Sequence, residues 1–359
     1  MSNTILFNRE DLKTLFSAKF ILLIIISIPS AIIADYFNIP LAWMLGPMIA
    51  ISIAALIGVK VKMPKLALNG ILIILGLHIG NYIDQNLINQ MTNWIWTTII
   101  MFFYILVSIL VVSKYLQKFS KFGTKTSIFS AAPGALGPLL ILAEYEKSDL
   151  SQVATAHLIR LIIIITIFPF IIVNLSTADS LELQKFDYMS QNHWDLVLLI
   201  IASLIFIFFF DKAKVPAALL SGTLVASGVL QIFDIASYKL PDASINFCLL
   251  ILGASVGCRF ANKTVKEVAN NSFHGLVATI LLVLLGLIAA FIATFFVDNN
   301  FLTLILSFCP GGIYEVAVIA IAYDLEPDFV AFHHIIRLLF ILFIVPMILR
   351  LIEKTKIKN

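Results

Sequence analysis

Charge is what this chain has least of. Its 24 lysines and arginines and 21 aspartates and glutamates amount to 13% of 359 residues, where a soluble domain carries about 25%. A soluble enzyme or binding module is therefore excluded as the body of the molecule. Cysteine is scarce too. Cys248, Cys258 and Cys309 all fall inside apolar runs without a C-x-x-C spacing, which argues against a disulfide framework or a zinc site and leaves small apolar packing as their role. The six histidines, at 78, 157, 193, 274, 333 and 334, are mostly scattered singly, so neither a metal nor another cofactor is expected. No nucleophile stands at a working distance from a base, so no catalytic residues are assigned and the chain is not expected to be an enzyme. A net charge of +3 without a basic recognition element argues against nucleic acid as a partner.

Hydrophobicity is what the chain has in excess: 60% apolar residues and a mean hydropathy of +1.02. Spanning helices need about 20 apolar residues each. Candidate segments lie at 19–35, 42–59, 67–83, 93–113, 126–143 and 152–174, then at 194–210, 215–233, 246–261, 273–297, 301–322 and 329–349. Their apolar runs are continuous rather than alternating, which excludes strands. An all-α polytopic membrane protein is expected, with the lipid bilayer as its surroundings. Residues 1–18 are polar and the run after them has the look of a signal anchor, but its counterpart at 194–210 marks it as an ordinary first helix.

The two sets of six are copies. Residues 307–349 lie over 130–172 without a gap, 177 residues apart, matching Pro133 with Pro310, Gly134 with Gly311, His157 with His334, Arg160 with Arg337 and Pro169 with Pro346. The same register joins Gly76 and Gly80 to Gly253 and Gly257, and a register one residue shorter joins Pro40 and Gly46 to Pro216 and Gly222. The chain reads as a first membrane repeat over 1–180 and a second over 190–359, integrated into one membrane domain.

Lysine and arginine collect in cytoplasmic loops. If all twelve segments cross from a cytoplasmic N-terminus, Lys147, Lys212, Lys214, Arg259, Lys263 and Lys266 fall outside. If the fifth segment of each half is instead a re-entrant hairpin, each half crosses five times, the halves are inverted, and only Lys185 and Lys239 fall outside. Ten crossings and two hairpins are therefore expected, with both termini cytoplasmic. The fifth segments suit this, because each carries Pro-Gly at its middle: Pro133-Gly134 in one, Pro310-Gly311-Gly312 in the other. The competing reading is a kinked spanning helix.

Each hairpin is followed by a helix carrying an arginine, Arg160 or Arg337, about 13 Å deep at helical rise. At the bilayer centre an arginine costs about 3 kcal/mol on insertion scales. His157 and His334 stand three residues earlier, on the same helical face. One reading is that each arginine ties down carbonyls freed at its own hairpin tip. The sharper one is an anion-binding site at Pro133, Gly134, Pro310, Gly311, Gly312, Tyr314, both His-Arg pairs and the half-helix N-termini, whose free N–H groups attract anions. Glu315, where the first copy has Pro138, carries a coupling proton or forms an ion pair with Arg337. His78 either faces a cavity or makes a helix contact beside Gly76 and Gly80. His333 points to another face than His334 and is not taken as a ligand.

The repeated Pro-Gly tip followed by His-x-x-Arg resembles the duplicated AbrB-type membrane protein family of bacteria, over nearly the whole chain. The second copy matches closely at Pro310, Gly311, Gly312, Glu315, His334 and Arg337, and the first departs at Pro138. The resemblance implies a multi-pass protein of the bacterial cytoplasmic (inner) membrane. Names within that family point to regulation of gene expression and to ammonia monooxygenase. The residues favour a secondary transporter of a small organic anion, coupled to a proton or sodium, alternating access between inverted repeats. The alternative is a membrane sensor that affects gene expression without binding DNA, with Lys114–Lys125 and Arg259–Glu267 as candidate partner surfaces. A homodimer is compatible with either.

Overall fold

The computed structural model describes residues 9–83, 94–134, 136–175, 193–213, 215, 217–261 and 265–358. Among them there is no strand, and fifteen helices follow one another. In the first repeat these are α1 (Arg9–Leu15), α2 (Ala18–Tyr36), α3 (Ala42–Leu56), α4 (Lys65–Gly80), α5 (Trp94–Phe119), α6 (Thr124–Ala131), α7 (Leu136–Tyr145) and α8 (Leu150–Leu175). The second has α9 (His193–Lys212), α10 (Ala218–Ile232), α11 (Asp242–Cys258), α12 (Val265–Ala293), α13 (Phe301–Phe308), α14 (Ile313–Ala322) and α15 (Pro327–Lys358). The protein is an all-α polytopic membrane protein. Lys185, Lys214, Pro216 and Lys263, used in the topology and repeat arguments, lie outside the described residues.

Six helices, α2, α5, α8, α9, α12 and α15, are long and apolar enough to cross a membrane. α3, α4, α10 and α11 are apolar but only 15, 16, 15 and 17 residues long. At 1.5 Å per residue that is about 22–26 Å, short of a hydrocarbon core of about 30 Å. Both fifth segments break at their Pro-Gly, into α6 plus α7 and α13 plus α14. The cause is local, since proline has no N–H for the carbonyl four residues back and its ring clashes there.

The chain forms two compact units, and their boundaries cut across the repeats. One comprises residues 1–87, 166–264 and 317–328; the other 88–165, 265–316 and 329–359. In the first unit α3 packs on α11 and α4 on α10, so each contact joins one repeat to the other. Glycines set the spacing. A Cβ on Gly76 would lie 2.7 Å from Leu220 O, and one on Gly253 would collide with Met44 O, the matching carbonyl of the other copy. Gly80 against Leu224 O and Gly257 against Met48 O repeat the arrangement at 2.9 and 3.0 Å. Reciprocal contacts of this kind are those of a two-fold axis. Close approach through small residues is how membrane helices pack tightly, since lipid is as apolar as leucine. His78 belongs to this interface, its Nε2 lying 2.7 Å from Ser244 Oγ.

In the second unit α5 packs on α6 and on α12, and α12 on α13. Val112, Leu116, Ala131, Ala278 and Leu282 form a buried cluster there. The outer ends of α6 and α7 meet: Lys125 Nζ lies 2.6 Å from Glu146 Oε2, and Asp149 N donates to Thr126 Oγ1 at 3.2 Å. The two helices are thus the arms of a helical hairpin. Both α7 and α14 end in a left-handed residue, Lys147 (φ 53°) and Asp324 (φ 50°). Ser148 N bonds Ala143 O and Leu325 N bonds Ala320 O across these turns, which closes the last carbonyls of each helix.

Candidate functional site: two proline-broken helices clamped by His-x-x-Arg

The site begins with what proline removes. In an intact helix Phe129 O would accept from residue 133 and Leu306 O from residue 310, and both are prolines. A histidine from the following long helix supplies a donor to each carbonyl: His157 Nε2 is 2.9 Å from Phe129 O and His334 Nε2 is 3.0 Å from Leu306 O. The next carbonyls are taken by arginine. Arg160 Nη1 donates to Ala132 O at 3.0 Å and Nη2 to Gly134 O at 3.1 Å. Arg337 does the same to Cys309 O and, at 2.6 Å, to Gly311 O. Each guanidinium also donates to the imidazole beside it, Arg160 to His157 Nδ1 at 2.7 Å and Arg337 to His334 Nδ1 at 3.1 Å. An Nδ1 that accepts carries no proton, so both imidazoles are the neutral Nε2–H tautomer.

This clamp is built twice, bond for bond, at the C-terminal ends of α6 and α13, where a cation also complements the helix dipole. Arg160 is 4% exposed and Arg337 1%. The reading in which each arginine ties down the carbonyls of its own tip describes these bonds. Pro133, Gly134, Pro310 and Gly311 are buried with them, and Gly312 and Tyr314 are half-buried. Across the two-fold relation the tips contact the opposite helix: a Cβ on Gly134 would meet Ile341, and one on Gly311 would meet Ile164, the matching residue.

Glu315 is buried, and its carboxylate folds back over the start of α14, where Oε2 occupies the space a Cβ on Gly312 would take. A carboxylate in the first turn is favoured by the free N–H groups and the positive end of the dipole. Arg337's own hydrogen bonds run to Cys309 O, Gly311 O and His334. His333 is fully buried on a different face, between Phe329 O at 2.9 Å and Thr97 Oγ1 at 2.8 Å.

One residue near the clamps went unnoticed in the sequence. Tyr104 of α5 is buried, feels the charge of both arginines, and sets its ring edge-on to Phe308, next to the second tip. Its hydroxyl rests beside Gly286, 3.6 Å from where a Cβ would lie, with Phe308 O closer at 2.9 Å. The first copy gave a signal, a phenol at the middle of a 26-residue apolar helix with leucine as its counterpart in the second.

A family model described as "Transition state regulatory protein AbrB" matches residues 43–353, taking in both clamps. The chain belongs to the AbrB family. Two curated relatives align along nearly their whole length. "Uncharacterized protein YhjN" of Bacillus subtilis is 22% identical over 361 residues, 92% of each chain. "Putative regulator AbrB" of Escherichia coli is 24% identical over 324 residues, 88% of this chain and 91% of the relative. Membership of the AbrB family thus goes with a membrane-type helical body here, and the regulatory wording belongs to the family description and to the name of the Escherichia coli relative.

Proposed function

We propose that this protein is a secondary transporter of a small organic anion in the bacterial cytoplasmic membrane. The observation that carries the reading is the pair of matched, proline-broken helices, each with a buried guanidinium at its break. Interrupted helices in repeated halves are how secondary transporters build a site inside the bilayer, with fixed charge and half-helix ends in place of water. The Lys125–Glu146 foot supports a hairpin that enters and leaves on one side, and the lysine distribution supports two inverted halves with cytoplasmic termini. In this reading Glu315, the buried carboxylate, exchanges the coupling proton, and the clamps keep the tips rigid while the anion binds beside them. No catalytic step is involved.

Uptake of labelled small organic acids into proteoliposomes tests it. Saturable uptake driven by an imposed proton or sodium gradient is expected, and Glu315→Gln is expected to bind the anion but lose the response to a proton gradient. Well-folded protein that moves none of the acids under either gradient would end the transport reading.

The name of the Escherichia coli relative favours a second reading, a membrane sensor whose signal reaches gene expression through a cytoplasmic partner. It requires a stable partner at the basic loops, which a cross-linked pull-down from membranes would capture.

A further inference from the structure

The end of α5 departs from its copy in the second repeat. Over residues 114–125 the chain carries four lysines, and the positions 177 residues further on hold Phe291, Phe295, Asp298 and Leu302. The duplicated fold therefore does not require these charges. Lys125 is tied to Glu146 at the foot of the first hairpin, whereas no carboxylate among the described side chains pairs with Lys114, Lys118 or Lys121, and all three are exposed. Lys114 and Lys118 stand one turn apart on the same face of α5, and Lys121 follows just past the helix end.

That face continues into the membrane as an apolar stripe. Phe103, Val107 and Leu110 lead up to Lys114 at helical spacing, and each is exposed. From Phe103 to Lys114 the rise is about 16 Å, the depth of one leaflet in a hydrocarbon core about 30 Å thick. Rings mark where the headgroup level lies. Lys118 Nζ lies 5.4 Å over the exposed ring of Phe119, and Tyr115 packs on the same ring at 5.2 Å between centroids. The Tyr115 hydroxyl is 3.1 Å from Nδ1 of His274 on α12, beside the exposed Phe273, so two helices hold the patch together. An amphipathic ring such as that of tyrosine settles at the membrane–water interface, and a lysine there lays its stem on apolar surface while its ammonium stays at the same level.

We propose that this surface holds one anionic phospholipid, with its phosphate on Lys114 and Lys118, Lys121 at the rim, and an acyl chain along Phe103, Val107 and Leu110. Unpaired ammonium groups next to a bilayer attract anionic headgroups. The stripe beneath them selects a phosphate that carries chains over a free one. The proposal does not depend on the transport reading, and it assigns this part of the basic surface to lipid instead of to a protein partner.

Native mass spectrometry of the full-length protein released from detergent micelles, titrated with dioleoyl phosphatidylglycerol or dioleoyl phosphatidylcholine, tests it. The wild type should hold phosphatidylglycerol at least tenfold more tightly than phosphatidylcholine, and the combined Lys114→Gln, Lys118→Gln and Lys121→Gln variant should erase the difference. Millimolar inorganic phosphate should displace neither lipid. If the triple variant fails to fold, Lys118→Gln alone decides, with a loss of about fivefold expected and an unchanged affinity overturning the proposal. Equal binding of the two lipids by the wild type also overturns it. So does an equal loss on changing Lys60, Lys62 and Lys65 to glutamine, since these exposed lysines have no aromatic residue near them from Ile57 to Gly70 and the effect would then be one of overall charge. Displacement by inorganic phosphate would make this a site for a soluble anion, and a cytoplasmic protein that cross-links at these lysines and competes with the lipid would return the surface to the sensor reading. Either result ends the lipid assignment.

Discussion

At the scale of single residues, the histidine and arginine of each repeat do the work of the N–H groups that proline takes away. A lysine in place of Arg337 keeps the charge but is a point donor, unable to fork onto two carbonyls two residues apart. One buried carbonyl at the tip would lose its donor, at a cost of about 1–3 kcal/mol. Arg337→Lys is therefore expected to lower the thermal unfolding midpoint of the purified protein, measured by loss of the monodisperse fluorescence-detected elution peak. An unchanged midpoint would mean that the fork is dispensable. Much of this was legible beforehand, because the spacing from Pro133 to His157 recurs from Pro310 to His334 and each arginine follows three residues later. The backfold of Glu315 was not, since it depends on the empty space at Gly312. Nor was Tyr104, because a phenol within an apolar run looks the same whether it packs or faces charge.

At the scale of helices, glycine position decides how close two segments come. Gly253→Ala would press a methyl into the carbonyl of Met44 and force α3 and α11 apart, a disturbance of about 1–3 kcal/mol. Gly70, on α4, has open space where its Cβ would lie. There alanine should be neutral or stabilising by up to about 1 kcal/mol through helix propensity. Thermal midpoints of the two variants should move in opposite directions, or at least differ by several degrees, and equal losses would remove the role given to the Gly253 contact. All twelve apolar segments were visible from hydrophobicity, but their ends were not. The expected 42–59 became Ala42–Leu56 and the expected 215–233 became Ala218–Ile232. The first stops short at Gly58 (φ 93°) and the second starts late, after the left-handed Ala217 (φ 54°), and neither backbone turn leaves a mark in a hydrophobic profile.

At the scale of the whole molecule, the duplication could be read from aligned residues, yet the interleaving of the copies could not. Alignment says which positions correspond, whereas which positions touch is decided by packing. The compact units draw on both repeats, and sidedness follows from charge rather than from contacts. Single cysteines at Lys147 and Asp324, the matching left-handed turns after α7 and α14, discriminate the topologies. Inverted halves predict labelling from opposite faces of the membrane by an impermeant thiol reagent. Labelling from one face would mean parallel halves and would require the lysine distribution to be explained otherwise.

The glycine contacts between α3 and α11 and between α4 and α10 also bear on how the protein is made. When the ribosome has released the first repeat, α3 and α4 already sit in the membrane with their closest partners still unwritten. The carbonyl face of α3 and the glycine face of α4 must wait until Ala218–Ile232 and Asp242–Cys258 have been made. During that interval the half-made chain has a slot but nothing to fill it, so it depends on the insertion machinery or on lipid to hold it open. The second repeat then arrives less as an independent folding unit than as the closing half of one already begun.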